Sequence, residues 1–284
     1  MIRISDEVRE ADAVVALETT ILAHGFPAGD GVAVGLECER RVREPGAVPA
    51  TIGVLDGEIR VGLTPSELER FDSSARKAGA RELAGCVAGR GAGATTVGGT
   101  LAVCRAAGIR FMGTGGIGGV HRGVRWDVSA DLLELSRSQV VVVSSGVKSI
   151  LDVEATAELL ETLSVPVLGW RTDTMPRFYD AAGGPPVTER VDSAEEVIRL
   201  ATLHWELGGC GLLLARPPDE SIVVDDLIEE TLEEAEREGV KGQAVTPFVL
   251  ERLHERSGGR TLAVNRDLAA ANAGLAAELA VAAA

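Results

Sequence analysis

Short apolar runs recur along the chain, separated by segments with helical spacing, and this alternation constrains the fold more than any other feature. Val14 to Leu17, Val140 to Val143, Val165 to Leu168 and Leu212 to Leu214 each hold a strand's length of apolar side chains without polar alternation, and Ile109 to Met112 is apolar but for Arg110. A strand that is apolar on both faces is buried on both, which is the condition of a parallel sheet covered by helices. Val34, Cys38 and Val42 recur at i, i+4, i+8 until Pro45-Gly46 ends that helix, and about 100 to 107, 149 to 163 and 193 to 206 also read as helices. Asp56-Gly57, between Thr51–Leu55 and Glu58–Leu63, is a two-residue hairpin signal that adds an antiparallel pair. The expectation is an α/β layer fold with a mixed, largely parallel sheet.

The C-terminal third is helical: an acidic segment from Asp225 to Glu238 closed by Gly239, a second helix from about Pro247, and an Ala-rich one after Arg266. No fixed-period repeat and no linker-like stretch interrupts the chain, so residues 1–284 are read as one domain. The net charge of −15 argues against a general nucleic-acid surface. Cys38, Cys86, Cys104 and Cys210 are scattered, without C-x-x-C pairs or zinc spacing, which fits buried thiols in a reducing compartment. Neither a leader-like N-terminus nor an 18-residue apolar run is visible, so a cytoplasmic protein without membrane contact is expected.

Only three of the 28 basic side chains are lysines: Lys77, Lys148 and Lys241. Lys148 follows the apolar run 141–147 at a small-residue turn, where an amine can be desolvated. A buried lysine can lose its proton and attack a carbonyl, which an arginine cannot. Glu18 stands at the end of the strand Val14 to Leu17, placed for proton transfer if burial raises its affinity for a proton; a solvated strand-end carboxylate is the plainer alternative. His24 either packs the turn after it or meets ligand.

Gly113-Thr-Gly-Gly-Ile-Gly118 matches the dinucleotide fingerprint after a strand, but it runs into further glycine, His121 and Arg122 instead of an amphipathic helix. That loop suits a phosphate or polyhydroxylated ligand better. Asp127-Val-Ser129-Ala-Asp131 offers hard oxygen ligands to Mg²⁺ or Mn²⁺, or else the N-cap of a helix at Leu132 to Leu135. Gly93-Ala-Thr-Thr-Val97-Gly-Gly-Thr100 opens a helix whose first N–H groups can meet an anion or simply pack on the sheet.

Taken together, Ala-Leu-Glu18-Thr-Thr-Ile, Gly-Ala-Val-Pro-Ala-Thr-Ile-Gly (46–53), Gly-Ala-Thr-Thr-Val (93–97), the glycine loop 113–123, Asp-Val-Ser-Ala-Asp-Leu (127–132) and Gly-Val-Lys148-Ser-Ile-Leu-Asp closely resemble the pseudouridine-5'-phosphate glycosidases, the family that includes the indigoidine synthase A proteins. The resemblance runs from about residue 4 to 280. It implies a three-layer α/β/α fold, a cytoplasmic homotrimer, a bound Mn²⁺, and reversible cleavage of pseudouridine 5'-phosphate to uracil and ribose 5-phosphate through a lysine Schiff base. By motif it makes Lys148 the nucleophile, Glu18 the proton donor and Asp127 the metal ligand. It places Lys77, Val97, Ser129, Ala130, Asp131 and Asn265 at substrate. Arg216 and Ala271 depart from the family's usual asparagines, and a role in pigment synthesis is the alternative within the family.

Overall fold

The structure is a computed structural model and describes residues 1–27, 29–123, 126–240 and 245–284. In chain order the first half comprises β1 (Ile2–Ile4), α1 (Asp6–Glu10), β2 (Val14–Glu18), α2 (Thr20–His24), α3 (Asp30–Arg43), β3 (Val48–Leu55), β4 (Glu58–Val61), α4 (Pro65–Leu68), β5 (Arg76–Ala78), α5 (Leu83–Gly89), β6 (Gly93–Thr95), α6 (Val97–Ala107) and β7 (Phe111–Gly113). The second half continues with β8 (Val120–His121), α7 (Ala130–Leu135), β9 (Val141–Ser144), β10 (Leu151–Asp152), α8 (Val153–Thr162), β11 (Val167–Trp170), β12 (Glu189–Val191), α9 (Ala194–Glu206), β13 (Leu212–Ala215), α10 (Asp225–Arg237), α11 (Val245–Arg256) and α12 (Arg260–Ala283).

Eleven strands form one sheet in the order β1-β4-β3-β2-β7-β9-β13-β11-β12, with β6 also paired to β3 and β5 to β6. Every pairing is parallel except β3 with β4 and β3 with β6. The hairpin turn falls where expected, with Asp56 and Gly57 both left-handed at φ 56° and 86°.

The unbroken apolar runs are explained by two cores, one on each sheet face. Val140 and Val142 of the β9 run face a core shared with α6, α7, α8, α10 and α11, while Val141 and Val143 face one shared with α3, α9 and α12. Leu213 and Ala215 of β13 divide from Leu212 and Leu214 in the same way. Full burial of each such side chain stabilises the fold by about 1.5–3 kcal/mol, so the strands cannot leave the centre of the sheet. The mixed, largely parallel sheet between two helical layers is therefore the fold class expected.

Several expected boundaries move. The Ala-rich helix begins at Arg260, not after Arg266, because Gly259 at φ 83° supplies the turn into it; Asn265 thereby lies inside α12. The helix expected from 149 begins at Val153, since Asp152 accepts from the Ala155 N–H as its N-cap and Leu151–Asp152 first pairs with β8. The helix expected from 100 begins at Val97, capped by the Thr96 hydroxyl. Among the described residues no helix is long and apolar enough to cross a membrane.

Candidate active site

The parallel strands β2, β7 and β9 end side by side, and the segments that leave their C-terminal ends carry Glu18, the glycine loop and Lys148. In an open parallel sheet this edge is where ligands bind. Glu18, the last residue of β2, is only 4% exposed. Its Oε1 accepts from the Thr114 hydroxyl at 2.5 Å and its Oε2 from the Thr20 hydroxyl, so the carboxylate is held on both oxygens. Beside it, Thr19 and Thr95 share the Ile52 carbonyl at 2.9 and 2.6 Å, which ties the ends of β2, β3 and β6 together.

The glycine loop does not open into a helix after β7. It runs in register alongside the segment after β9, Thr114 N–H donating to Val143, Ser145 N–H to Gly115, Ile117 N–H to Gly146 and Lys148 N–H to Ile117, all within 2.9–3.1 Å. This ladder extends the parallel pairing beyond the regular strands and delivers Lys148, half-buried, to the site. Arg122 braces the far side, donating to the carbonyls of Ser149 and Leu151 at 3.3 and 3.1 Å. A dinucleotide site is excluded by the same geometry, because the loop leads into β8 with no helix N-terminus to receive a pyrophosphate.

Asp131 is the hub of the opposite wall. Its Oδ1 accepts from the Gly98 N–H at 2.7 Å, in the first turn of α6, and its Oδ2 from the Gly118 N–H at 2.9 Å. One buried carboxylate thus closes a helix N-terminus and pins the glycine loop. A Cβ at Gly118 would lie 2.3 Å from Ser129 Oγ and 2.7 Å from Asp131 Oδ2, so no other residue fits there. Ser129 caps α7 by accepting from the Asp131 N–H, which establishes the N-cap reading of this segment. Ala130 follows as an exposed first residue of α7, and Val97 is fully buried beside Gly98.

Lys77, on β5, is open to solvent at the mouth of this wall yet ringed by protein. Desolvation first, and then the Lys148 ammonium, hold it below the ordinary lysine value, while Asp131 and Glu18 act the other way. Glu18 accepts from Thr114, Asp131 from Gly118, and the Lys148 N–H donates to Ile117, so these three border one glycine loop, while Lys77 stands on β5, paired with β6, whose Thr95 lies against Thr19 next to Glu18. His24 packs the turn, its Nε2 3.0 Å from the Ala75 carbonyl, and burial lowers its proton affinity. Asn265, buried on α12, borders Gly115 of the glycine loop. Lys241 lies outside the described residues.

The comparisons with known proteins bear on this arrangement. The family described as "Indigoidine synthase A like protein" matches residues 3–282. The chain belongs to the indigoidine synthase A-like family. Pseudouridine-5'-phosphate glycosidase of Geobacillus kaustophilus is 44% identical over 97% of this chain and 96% of its own, and that of Kosmotoga olearia is 43% identical over 95% and 96%. The crystal structure of an indigoidine synthase A-like protein of Thermotoga maritima superposes with a TM-score of 0.91 at 41% identity, covering 99% of this chain and 96% of that one. The prealnumycin C-glycosynthase in complex with ribulose 5-phosphate superposes at 0.90 with 40% identity, over 100% and 97%. This member of the indigoidine synthase A-like family is an enzyme.

Asp127, the sequence candidate for a metal, is exposed, and its backbone carbonyl accepts from the His121 N–H at 2.9 Å. Among the described residues no three His, Cys, Asp or Glu side chains converge. The donors present suit a hard cation that keeps most of its water and takes one carboxylate, and do not suit a closed zinc cage. Thr20 and Thr114, both buried, fall inside the motifs Glu18-Thr-Thr-Ile and Gly113-Thr-Gly, whose residue types give no sign of their hold on Glu18; Asn272, also buried, is marked in the sequence only as an amide within an alanine-rich run.

Proposed function

We propose that the chain is a pseudouridine-5'-phosphate glycosidase, cleaving its substrate reversibly to uracil and ribose 5-phosphate. What supports this reading is that Lys148 and the doubly held Glu18 both stand on segments at the C-terminal edge of the parallel sheet, in a chain so similar to enzymes of that name. A C-glycosidic bond offers no leaving-group oxygen or nitrogen to protonate, so the two-carboxylate route of O-glycosidases does not serve. A lysine amine does.

In this reading the Lys148 amine attacks C1' of the ribose and the C1'–O4' bond breaks, with Glu18 supplying the proton to O4'. The nitrogen lone pair then expels the base: the C1'–C5 bond breaks, C5 takes a proton, and uracil leaves an iminium between C1' and Nζ. Water hydrolyses that iminium to ribose 5-phosphate and the free amine. Lys77, cationic at the mouth, suits the anionic end of the substrate, and Asp131 shapes the loop against which the sugar lies. Asp127 would hold a Mn²⁺ ion largely hydrated, an oxygen-loving charge that orders anionic groups near it.

The test is incubation with pseudouridine 5'-phosphate and Mn²⁺, with uracil followed by chromatography and a parallel sample in EDTA. Uracil release that falls on chelation is expected. Borohydride added with ribose 5-phosphate should add the reduced sugar phosphate to the Lys148 peptide alone. Absence of uracil release sinks the activity; full rate in EDTA sinks the metal; a label elsewhere sinks the nucleophile.

A further inference from the structure

Asn272 is a fully buried amide in the middle of α12, a helix whose neighbours there are alanine, glycine and leucine. Its Nδ2 lies 2.8 Å from the Thr114 carbonyl, 3.4 Å from the Gly115 carbonyl and 3.1 Å from Ser145 Oγ. Two of these are carbonyls, which only accept, so the NH₂ end of the amide faces the loops. Its Oδ1 is buried without a partner among the described residues. Helix docking does not require this group: α12 is already seated by close approach, since a Cβ at Gly113 would fall 2.7 Å from the Ala273 Cα. An orphaned buried oxygen costs stability that leucine at the same place would not.

What the amide joins is specific. Thr114 is the residue whose hydroxyl holds Glu18, and Ser145 opens the segment that carries Lys148. From the rigid helix behind them, one side chain grips both supports of the proposed proton donor and nucleophile. We propose that Asn272 is a positioning residue that sets the separation of the Glu18 carboxylate from the Lys148 amine. Resting on the function proposed above, it acts through Thr114 and Ser145 and touches no substrate.

Asn272→Leu fills nearly the same volume, removes the orphaned oxygen and leaves the two loops, still paired with each other, without this amide's tie to α12. The expected result is a folded protein with a melting temperature no lower than that of the unsubstituted chain, a KM for pseudouridine 5'-phosphate within about threefold, and a kcat reduced about tenfold or more, the scale of small misplacements of reacting groups. The pH profile of kcat should shift as well, because Thr114 no longer fixes Glu18. Asn272→Ala, measured beside it, serves if the leucine variant does not fold. A folded variant with kcat within twofold of the unsubstituted chain and an unchanged pH profile overturns the positioning role. Loss confined to KM and melting temperature overturns it too. If the unsubstituted chain releases no uracil, the functional reading falls and this inference falls with it.

Discussion

Glu18 is held by two threonine hydroxyls on opposite oxygens, an arrangement that fixes its direction. Glu18→Gln keeps the shape, so in the proposed reaction turnover should drop roughly a hundredfold or more, the usual scale for a general acid or base. Binding of ribose 5-phosphate should persist, measured by calorimetry. Turnover near that of the unsubstituted chain would make Glu18 a structural carboxylate. The sequence made Glu18 and Lys148 legible because their types are chemically costly where they stand: a charge at a strand end, and a lysine where arginine is the rule. The grip of Thr114 and Thr20 on Glu18, and the contacts of Asn272, were not legible, because hydroxyls and amides are common and their meaning comes from contacts between residues as far apart as 114 and 272.

At the scale of elements, the functional edge depends on how closely α12 approaches the end of β7. Gly113→Ala would push a Cβ to 2.7 Å from the Ala273 Cα, a backbone atom that cannot rotate aside. We expect a stability loss of about 1–3 kcal/mol, the usual cost of overpacking, read as a lower urea midpoint with unchanged slope. An unchanged midpoint would mean that α12 slides freely, against the close packing described. The central strands were readable because burial on both faces leaves no polar alternation. The three-residue strands β1, β5, β6 and β12 escaped notice because so short a segment carries no periodicity. Lys77 stands on one of these, so its candidacy for the site comes by motif and not by pattern.

For the whole molecule, the titrating groups tilt stability with pH. Burial lowers the proton affinity of His24, His204 and His254. A depressed folded pKa means that the unfolded chain binds protons first as pH falls through the ordinary histidine range near ~6.5, so stability present above that range is lost below it. Glu39, buried against the Thr51 hydroxyl, is shifted upward by burial, so its contribution instead weakens as pH rises. Urea midpoints should therefore fall from pH 7.5 to pH 5, and fall more steeply in Glu39→Gln, where the opposing group is gone. A flat profile in both proteins would contradict the burial of the imidazoles. The sheet that buries these groups also decides when the enzyme comes into being. The elements that carry residues 18, 77, 131 and 148 come together only after strands distant in sequence have closed into parallel register, and parallel pairing requires long loops to close before contacts repay their entropy. No short stretch of the polypeptide contains the proposed constellation, so in the proposed reaction a half-formed chain is chemically silent, and catalysis begins only with the final, cooperative act of folding.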